Sequence, residues 1–205
     1  MPGPAYRIHT PRLVIRCPHP ADAPMLADAV AASLDHLRPW MPWARFEPEP
    51  LESRIQRLRV RRASFDTDQE YACVILTPGE GEVVGGIGLH RSVGEGALEL
   101  GYWISVRHAG RGYATEAAAA LTRAAFEING VGRMEIRCDP KNERSASIPR
   151  KLGYTLDGML RANVPGVDGR MRDTLVWSLL RAEYPSSPSA SADMAAFDAA
   201  GRTLP

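Results

Sequence analysis

The chain predicts a mixed α/β (α+β) fold, with one twisted central sheet of about seven strands flanked by about four helices. Three observations support this. Alternating apolar segments of strand length recur along the chain, and segments with apolar residues at helical spacing separate several of them. Between residues 98 and 138 the order is strand, glycine turn, long helix, strand. Such a unit favours parallel pairing through a right-handed crossover.

The elements follow in order. Arg12 to Arg16 alternates and reads as a first strand with Leu13 and Ile15 inward. Asp22 is a plausible N-cap for a helix carrying Leu26, Ala29 and Val30 on one face. Prolines at 39 and 42 make the segment from His36 to Trp43 irregular. Leu51, Ile55 and Leu58 give a second amphipathic helix, rich in arginine. Tyr71 to Leu76 and Val83 to Leu89 form a hairpin across Thr77–Gly81, and the next strand ends near Val106. Ala114, Ala117, Leu121, Ala124, Ala125 and Ile128 mark one face of a long helix that Gly130 and Gly132 end. A strand at Met134 to Cys138 and a short helix at Ser145 to Leu152 follow. Two last strands, Tyr154 to Val164 and Arg170 to Leu180, are joined by Gly166-Val167-Asp168-Gly169. Residues 185–205, rich in Ala, Ser and Pro, read as a loosely held tail, so residues 1–184 are expected to be the folded domain.

Composition excludes several classes. With 44% hydrophobic and 24% charged residues the chain is globular, and a net charge of +1 exerts no global pull on nucleic acid or anionic membrane. No apolar run approaches the ~20 residues that span a bilayer, and the N-terminus lacks the apolar core of a signal peptide, so a cytoplasmic protein is expected. Cys17, Cys73 and Cys138 form no Cys-x-x-Cys pair, which fits a reducing compartment. The five histidines show no metal-ligand spacing, so no metal is expected, and His108 is expected to face solvent. The run Arg54, Arg57, Arg59, Arg61, Arg62 sits on a helix that also bears Glu52 and Asp66, and reads first as a solvated face. The sharper reading of that run is binding of an acidic substrate or ribosomal RNA.

The segment Arg107-His108-Ala109-Gly110-Arg111-Gly112-Tyr113-Ala114-Thr115-Glu116 is the most informative. A glycine turn opening a helix leaves backbone N–H groups unpaired at the positive end of the helix dipole, a site for phosphate oxygens. Gly110 and Gly112 allow close approach, and Arg107 and Arg111 add positive charge. This Arg-x-x-Gly-x-Gly pattern resembles the pyrophosphate loop of the GCN5-related N-acetyltransferases (GNATs). Further pieces extend the likeness over roughly residues 10–184: Thr10 to Arg16, Trp40-Met41-Pro42-Trp43, Leu98 to Ile104, Asn142-Glu143-Arg144-Ser145 and Lys151-Leu152-Gly153-Tyr154. They resemble the RimJ/RimL-type branch, which acetylates ribosomal-protein N-termini. Ser147 stands where the family usually has arginine, and Pro149 occupies the slot of the proton-donating tyrosine found in many relatives. Pro149 is expected to bend or shorten its helix.

The resemblance implies acetyl-CoA as donor and a primary amine as acceptor, a protein N-terminal α-amine first, with direct attack in a ternary complex. Small-molecule amines (antibiotic, polyamine or amino acid) and a non-catalytic CoA-binding sensor stand as alternatives, and a monomer or homodimer is expected. Ile104, Ser105 and Val106 are expected at the splayed end of a strand, with backbone groups of Ile104 and Val106 on the pantetheine arm. Backbone donors at the thioester carbonyl act as an oxyanion hole, worth about 3 kcal/mol each. Arg107, Gly110, Arg111, Gly112, Tyr113, Ala114, Thr115 and Asn142 are expected to bind the cofactor. Lys151 is read either as a ligand of the adenosine phosphate or as an exposed helix-end lysine. Ser145 is the candidate for protonating the departing sulfur, and it is equally a helix cap. Glu99, on the strand face shared with Trp103 and Ser105, is the general-base candidate, against a plain solvated carboxylate or a salt bridge. An α-amine of pKa near ~7.8 is already about a tenth neutral at pH 7, so the demand on a base is modest. Trp40, Trp43, Phe46 and Trp103 are expected to wall the acceptor site.

Overall fold

A computed structural model of the protein describes residues 4–166 and 168–205. Its single sheet has nine strands: β1 (Arg7–His9), β2 (Val14–Arg16), β3 (Tyr71–Leu76), β4 (Val83–His90), β5 (Ala97–Ile104), β6 (Arg133–Cys138), β7 (Thr155–Pro165), β8 (Met171–Leu180) and β9 (Ala195–Phe197). The helices are α1 (Ala23–Ala31), α2 (Leu34–Leu37), α3 (Leu51–Asp66), α4 (Tyr113–Glu127) and α5 (Glu143–Lys151). The order across the sheet is β7-β8-β6-β5-β4-β3-β2-β1-β9, and β5–β6 is parallel while the other pairs are antiparallel. The mixed α/β expectation therefore stands, with two more strands and one more helix than anticipated among the described residues. The added strands are three residues each, too short for alternation to show.

Helices cover both faces. On one, the alanine-rich stripe of α4 (Ala117, Ala120, Leu121, Ala124) packs on Leu98, Leu100, Met134 and Ile136, all buried. Alanine lets the helix backbone lie close to the sheet at little cost in side-chain entropy. On the other face, Leu26 and Ala29 of α1 and Leu58 of α3 meet Val14, Val74, Leu76 and Val83. Asp22 does not cap α1. Its buried carboxylate accepts instead from the His19 amide and pairs with Arg16. The turn expected between β7 and β8 includes Val167, which lies outside the described residues.

The C-terminal segment differs from expectation. Short 3-10 turns at Tyr184–Ser186 and Pro188–Ser191 run over α4, where Arg123 Nη1 donates to the Ala192 carbonyl at 2.9 Å. β9 then closes the sheet edge beside β1, pairing Ile8 with Ala196. Small side chains, read as a sign of a loose tail, are what allow this flat packing: Ser189 and Ala196 are buried. Removing residues 195–205 is expected to lower Tm by roughly 5–10 °C, the equivalent of about 2–4 kcal/mol for a chain of this size. Differential scanning calorimetry of the truncated protein checks it.

Candidate active site

The site originates in a parting of strands. β5 and β6 pair only from Ala97↔Arg133 to Glu99↔Glu135. Beyond that point β5 stays with β4 as far as Ile104, whereas β6 stays with β8 as far as Cys138. A cavity of about 720 Å³ opens at the gap, lined by Tyr102, Ile104, Gly110, Gly112, Tyr113, Ala114, Thr115, Asn142, Ser145 and Lys151. All of these except Tyr102 are residues expected from the sequence at the cofactor or the departing sulfur. His36 and Leu37 also line it and carry no pattern that marks them in advance, and Arg144 lines it from within the motif at residues 142–145.

The glycine loop forms one wall. Gly110 and Gly112 have φ of 78° and 80°, left-handed values that glycine adopts without strain. The amides of residues 110–115 donate to no protein acceptor among the described residues, the first helical bond of α4 being Glu116 N–H to the Gly112 carbonyl at 3.1 Å. Six consecutive free donors at a helix start form a nest for an anion. The N-terminal segment holds this loop in place. Glu116 Oε1 accepts from Thr10 Oγ1 and the Arg12 amide, and its Oε2 accepts from Arg12 Nε at 2.6 Å. Arg12 also donates to the Arg111 carbonyl and lies 4.7 Å from the Tyr113 ring centre.

Ser145 is not the cap of α5. Asn142 Oδ1 takes that role, accepting from the Ser145 amide at 3.1 Å. The Ser145 hydroxyl instead sits 3.2 Å from the Tyr102 hydroxyl, which is also 3.3 Å from the Ser145 carbonyl. Pro149 explains that second contact. Helical geometry assigns the carbonyl of Ser145 to the amide of residue 149, and proline has none. α5 nevertheless runs through Pro149 to Lys151, because the freed carbonyl finds the phenol of Tyr102. Burial pushes the Tyr102 phenol above its usual range, with the Ser145 contact opposing.

A second cavity of about 360 Å³ lies on the α3 side of the sheet and shares Tyr102, Trp103, Ser145, Asn142, Trp40 and Met41 with the first. Its floor is bare backbone: Gly86 faces Trp103 across the strands, and Gly88 faces Gly101. A Cβ on Gly86 would stand 2.5 Å from Trp103 Nε1. Trp43, edge-on to Trp103 at 5.9 Å, contributes to the lining. Glycines at 85, 86 and 88 within one strand could have signalled this close approach from the sequence.

Several expectations are corrected. Glu99 lines neither cavity: it lies where the β5–β6 pairing is still intact, and it accepts from Ser92 Oγ at 2.6 Å. Ser105 is buried, with its hydroxyl 3.3 Å from Ser33 Oγ, and the Val106 amide donates to Ser33 Oγ at 3.0 Å, so that donor is already engaged. Arg107 and Arg111 line neither cavity, and Phe46 is 69% exposed beneath the Arg45 guanidinium. His108 is buried, not solvated, with Nε2 3.4 Å from Glu82 and its ring edge-on to Tyr113. The arginine run is no uniform solvated face either. Arg54 is buried against Glu47, and Arg57 pairs with Glu49, which anchors the Trp40–Glu49 segment to α3.

The profile of the acetyltransferase (GNAT) domain matches residues 12–155, most of the chain. The protein therefore belongs to the GNAT family and is an N-acetyltransferase. The [ribosomal protein uS5]-alanine N-acetyltransferase of Escherichia coli K12 is 29% identical over 185 residues, covering 88% of this chain and 94% of that protein. Among solved structures, RimJ of Mycobacterium smegmatis, in complex with CoA-disulfide, superposes with a TM-score of 0.76 at 24% identity over 90% of each chain. The ribosomal-protein-S5-alanine acetyltransferase of Vibrio fischeri has a TM-score of 0.75 at 19% identity, covering 87% of this chain and 98% of the other.

Gly86→Ala is expected to displace the Trp103 indole into the groove and to cost about 1–3 kcal/mol of stability. A lowered denaturation midpoint with altered tryptophan emission checks it.

Proposed function

We propose that the larger cavity binds acetyl-CoA and that the groove on the α3 side admits the α-amine of a protein N-terminus. One observation carries the donor site: the amides of residues 110–115, at the start of α4 and beside the opening between β5 and β6, have no protein acceptor among the described residues. A diphosphate supplies the acceptors those donors lack. Tyr113, Ala114 and Thr115 follow it along the first turn, with Ile104, Asn142 and Lys151 farther along the lining. The solved relative holding CoA-disulfide supports the same assignment. Acetyl-CoA brings the acetyl group as a thioester whose thiol leaves readily.

Ser145 and Tyr102 stand where the two cavities meet. We assign them the departing sulfur, with the Ser145 hydroxyl as donor and the phenol steadying it. A thiol of pKa near ~8.5 needs little acid assistance, so this contribution is modest. Trp40, Trp43 and Trp103 flank the acceptor. The choice of a protein α-amine rests on the E. coli relative, whose substrate is a ribosomal-protein alanine. It also fits the chemistry, since an α-amine near pKa ~7.8 yields far more free base at neutral pH than a lysine near ~10.4.

Gly112→Asp puts a carboxylate against the loop amides and is expected to weaken CoA binding at least about 100-fold by isothermal titration calorimetry. Gly112→Ala, which adds only the strain of a left-handed alanine, is expected to cost about 1 kcal/mol. Equal affinities for the aspartate variant and the wild type would contradict the donor site. Ser145→Ala is expected to lower kcat about 10-fold, measured by thiol release with an alanine-starting peptide, and to leave CoA affinity unchanged.

A further inference from the structure

We propose that His90, oriented by Glu70, is the base that deprotonates the acceptor amine in the α3-side groove. The inference rests on the acyltransferase reading above and assigns the proton acceptor that Glu99 does not supply. His90 is the last residue of β4 and Glu70 immediately precedes β3, so the hairpin brings them together. Nδ1 of His90 is 2.5 Å from Glu70 Oε1. A carboxylate in that position accepts the Nδ1 proton and fixes the tautomer whose Nε2 lone pair is free. Nε2 has no hydrogen-bond partner among the described residues. It lies over the bare floor, where Cβ atoms on Gly88 and Gly101 would stand 3.4 and 3.3 Å away. Two glycines therefore make room for the ring in the groove that leads to Ser145.

The surroundings favour a carboxylate that stays ionised. The His90 contact, and secondarily Arg61 of α3, holds Glu70 below the usual carboxylate range against the effect of its burial. Other charged groups lining the groove are Arg54 and Arg57 of α3, Arg137 of β6, Arg172 of β8 and Asp139, with Glu99 opposite His90 on β5 and Arg91 next to it in sequence. Arg57 is paired with Glu49, Arg137 with Glu135, and Glu99 with the Ser92 hydroxyl, while Arg91 donates to the Asp68 carbonyl. None of these takes the Nε2 position.

The proton balance is simple. An ammonium group entering the groove gives one proton to Nε2, which passes it to solvent at the half-exposed mouth. The neutral amine then forms the N–C bond as the C–S bond breaks. Of the two hydrogens left on nitrogen, one stays on the amide and the other ends on the departing thiol. His90 is the catalytic residue of this step and Glu70 a positioning residue.

The test uses the full chain, acetyl-CoA and whichever of an alanine-starting hexapeptide, a polyamine or an aminoglycoside the wild type acetylates fastest. His90→Gln is expected to lower kcat/KM at pH 7 about 10-fold for an α-amine of pKa near ~7.8, and by more for a more basic amine. CoA affinity by calorimetry should not change. The acid limb of the kcat/KM profile should move up to the ionisation of the amine itself in His90→Gln, which can use only amine that is already neutral, and move less in Glu70→Gln, whose loss is smaller. Imidazole in the buffer should restore part of the activity of His90→Ala. A His90→Gln protein that turns over at the wild-type rate with the same acid limb overturns the dyad and leaves the acyltransferase reading intact. Failure of the wild type to bind CoA, or to acetylate any of the three amines, overturns both.

Discussion

The parting of β5 from β6 is the constraint from which the rest follows. Two parallel strands that stay paired leave no space between their backbones. Here pairing stops after three residue pairs because each strand follows a different antiparallel neighbour, β4 on one side and β8 on the other. The gap exposes backbone of β5 and brings the ends of α4 and α5 to a common opening. Both cavities meet at that opening, at Tyr102 and Ser145. A crevice beyond the carboxyl ends of strands is where open α/β sheets place ligands, and in this chain it is widened by the divergence.

An anion nest is useful only if it is rigid, and its rigidity here comes from far away in sequence. Glu116 receives three donors from Thr10 and Arg12, 104 to 106 residues earlier, while Arg12 also grips the Arg111 carbonyl. The carboxylate sits in the first turn of α4, where the dipole favours negative charge. Arg12 at the same time offsets the repulsion that this carboxylate would exert on an incoming anion. The Thr-Pro-Arg segment thus acts on the loop as a brace, which explains physically why two motifs so distant in sequence belong to one site.

Most of the architecture was legible because it rests on period. Strands of six or more residues and the alanine stripe of α4 leave a pattern, and a glycine loop after a strand states its own geometry. Short-range readings failed where tertiary contacts decide. β1 and β9 are too short to alternate, and Ala and Ser at 185–205 read as looseness although they pack flat against α4. In the site, the loop glycines, Thr115, Asn142 and Ser145, expected from the resemblance, all line the larger cavity. Ser33, which takes the Val106 amide, lies 73 residues away from it and carries no local signal. Glu99 was placed on the correct strand, but alternation gives the face and not the position along the gap. Tyr102 continues the row of Leu98 and Leu100, and nothing in that row marks it as a site residue. A phenol within an apolar row was the available clue, since its hydroxyl requires a partner when buried.

Pro149 couples the geometry of the junction between the two cavities to something the chain lacks. A residue with an amide at that position would recapture the Ser145 carbonyl for α5, and the phenol of Tyr102 would keep only one of its two anchors. The helix would become more regular while the hydroxyl pair at the cavity junction became looser. Local helical order and the definition of the site are thus set against each other at one position, and this sequence resolves the conflict in favour of the site.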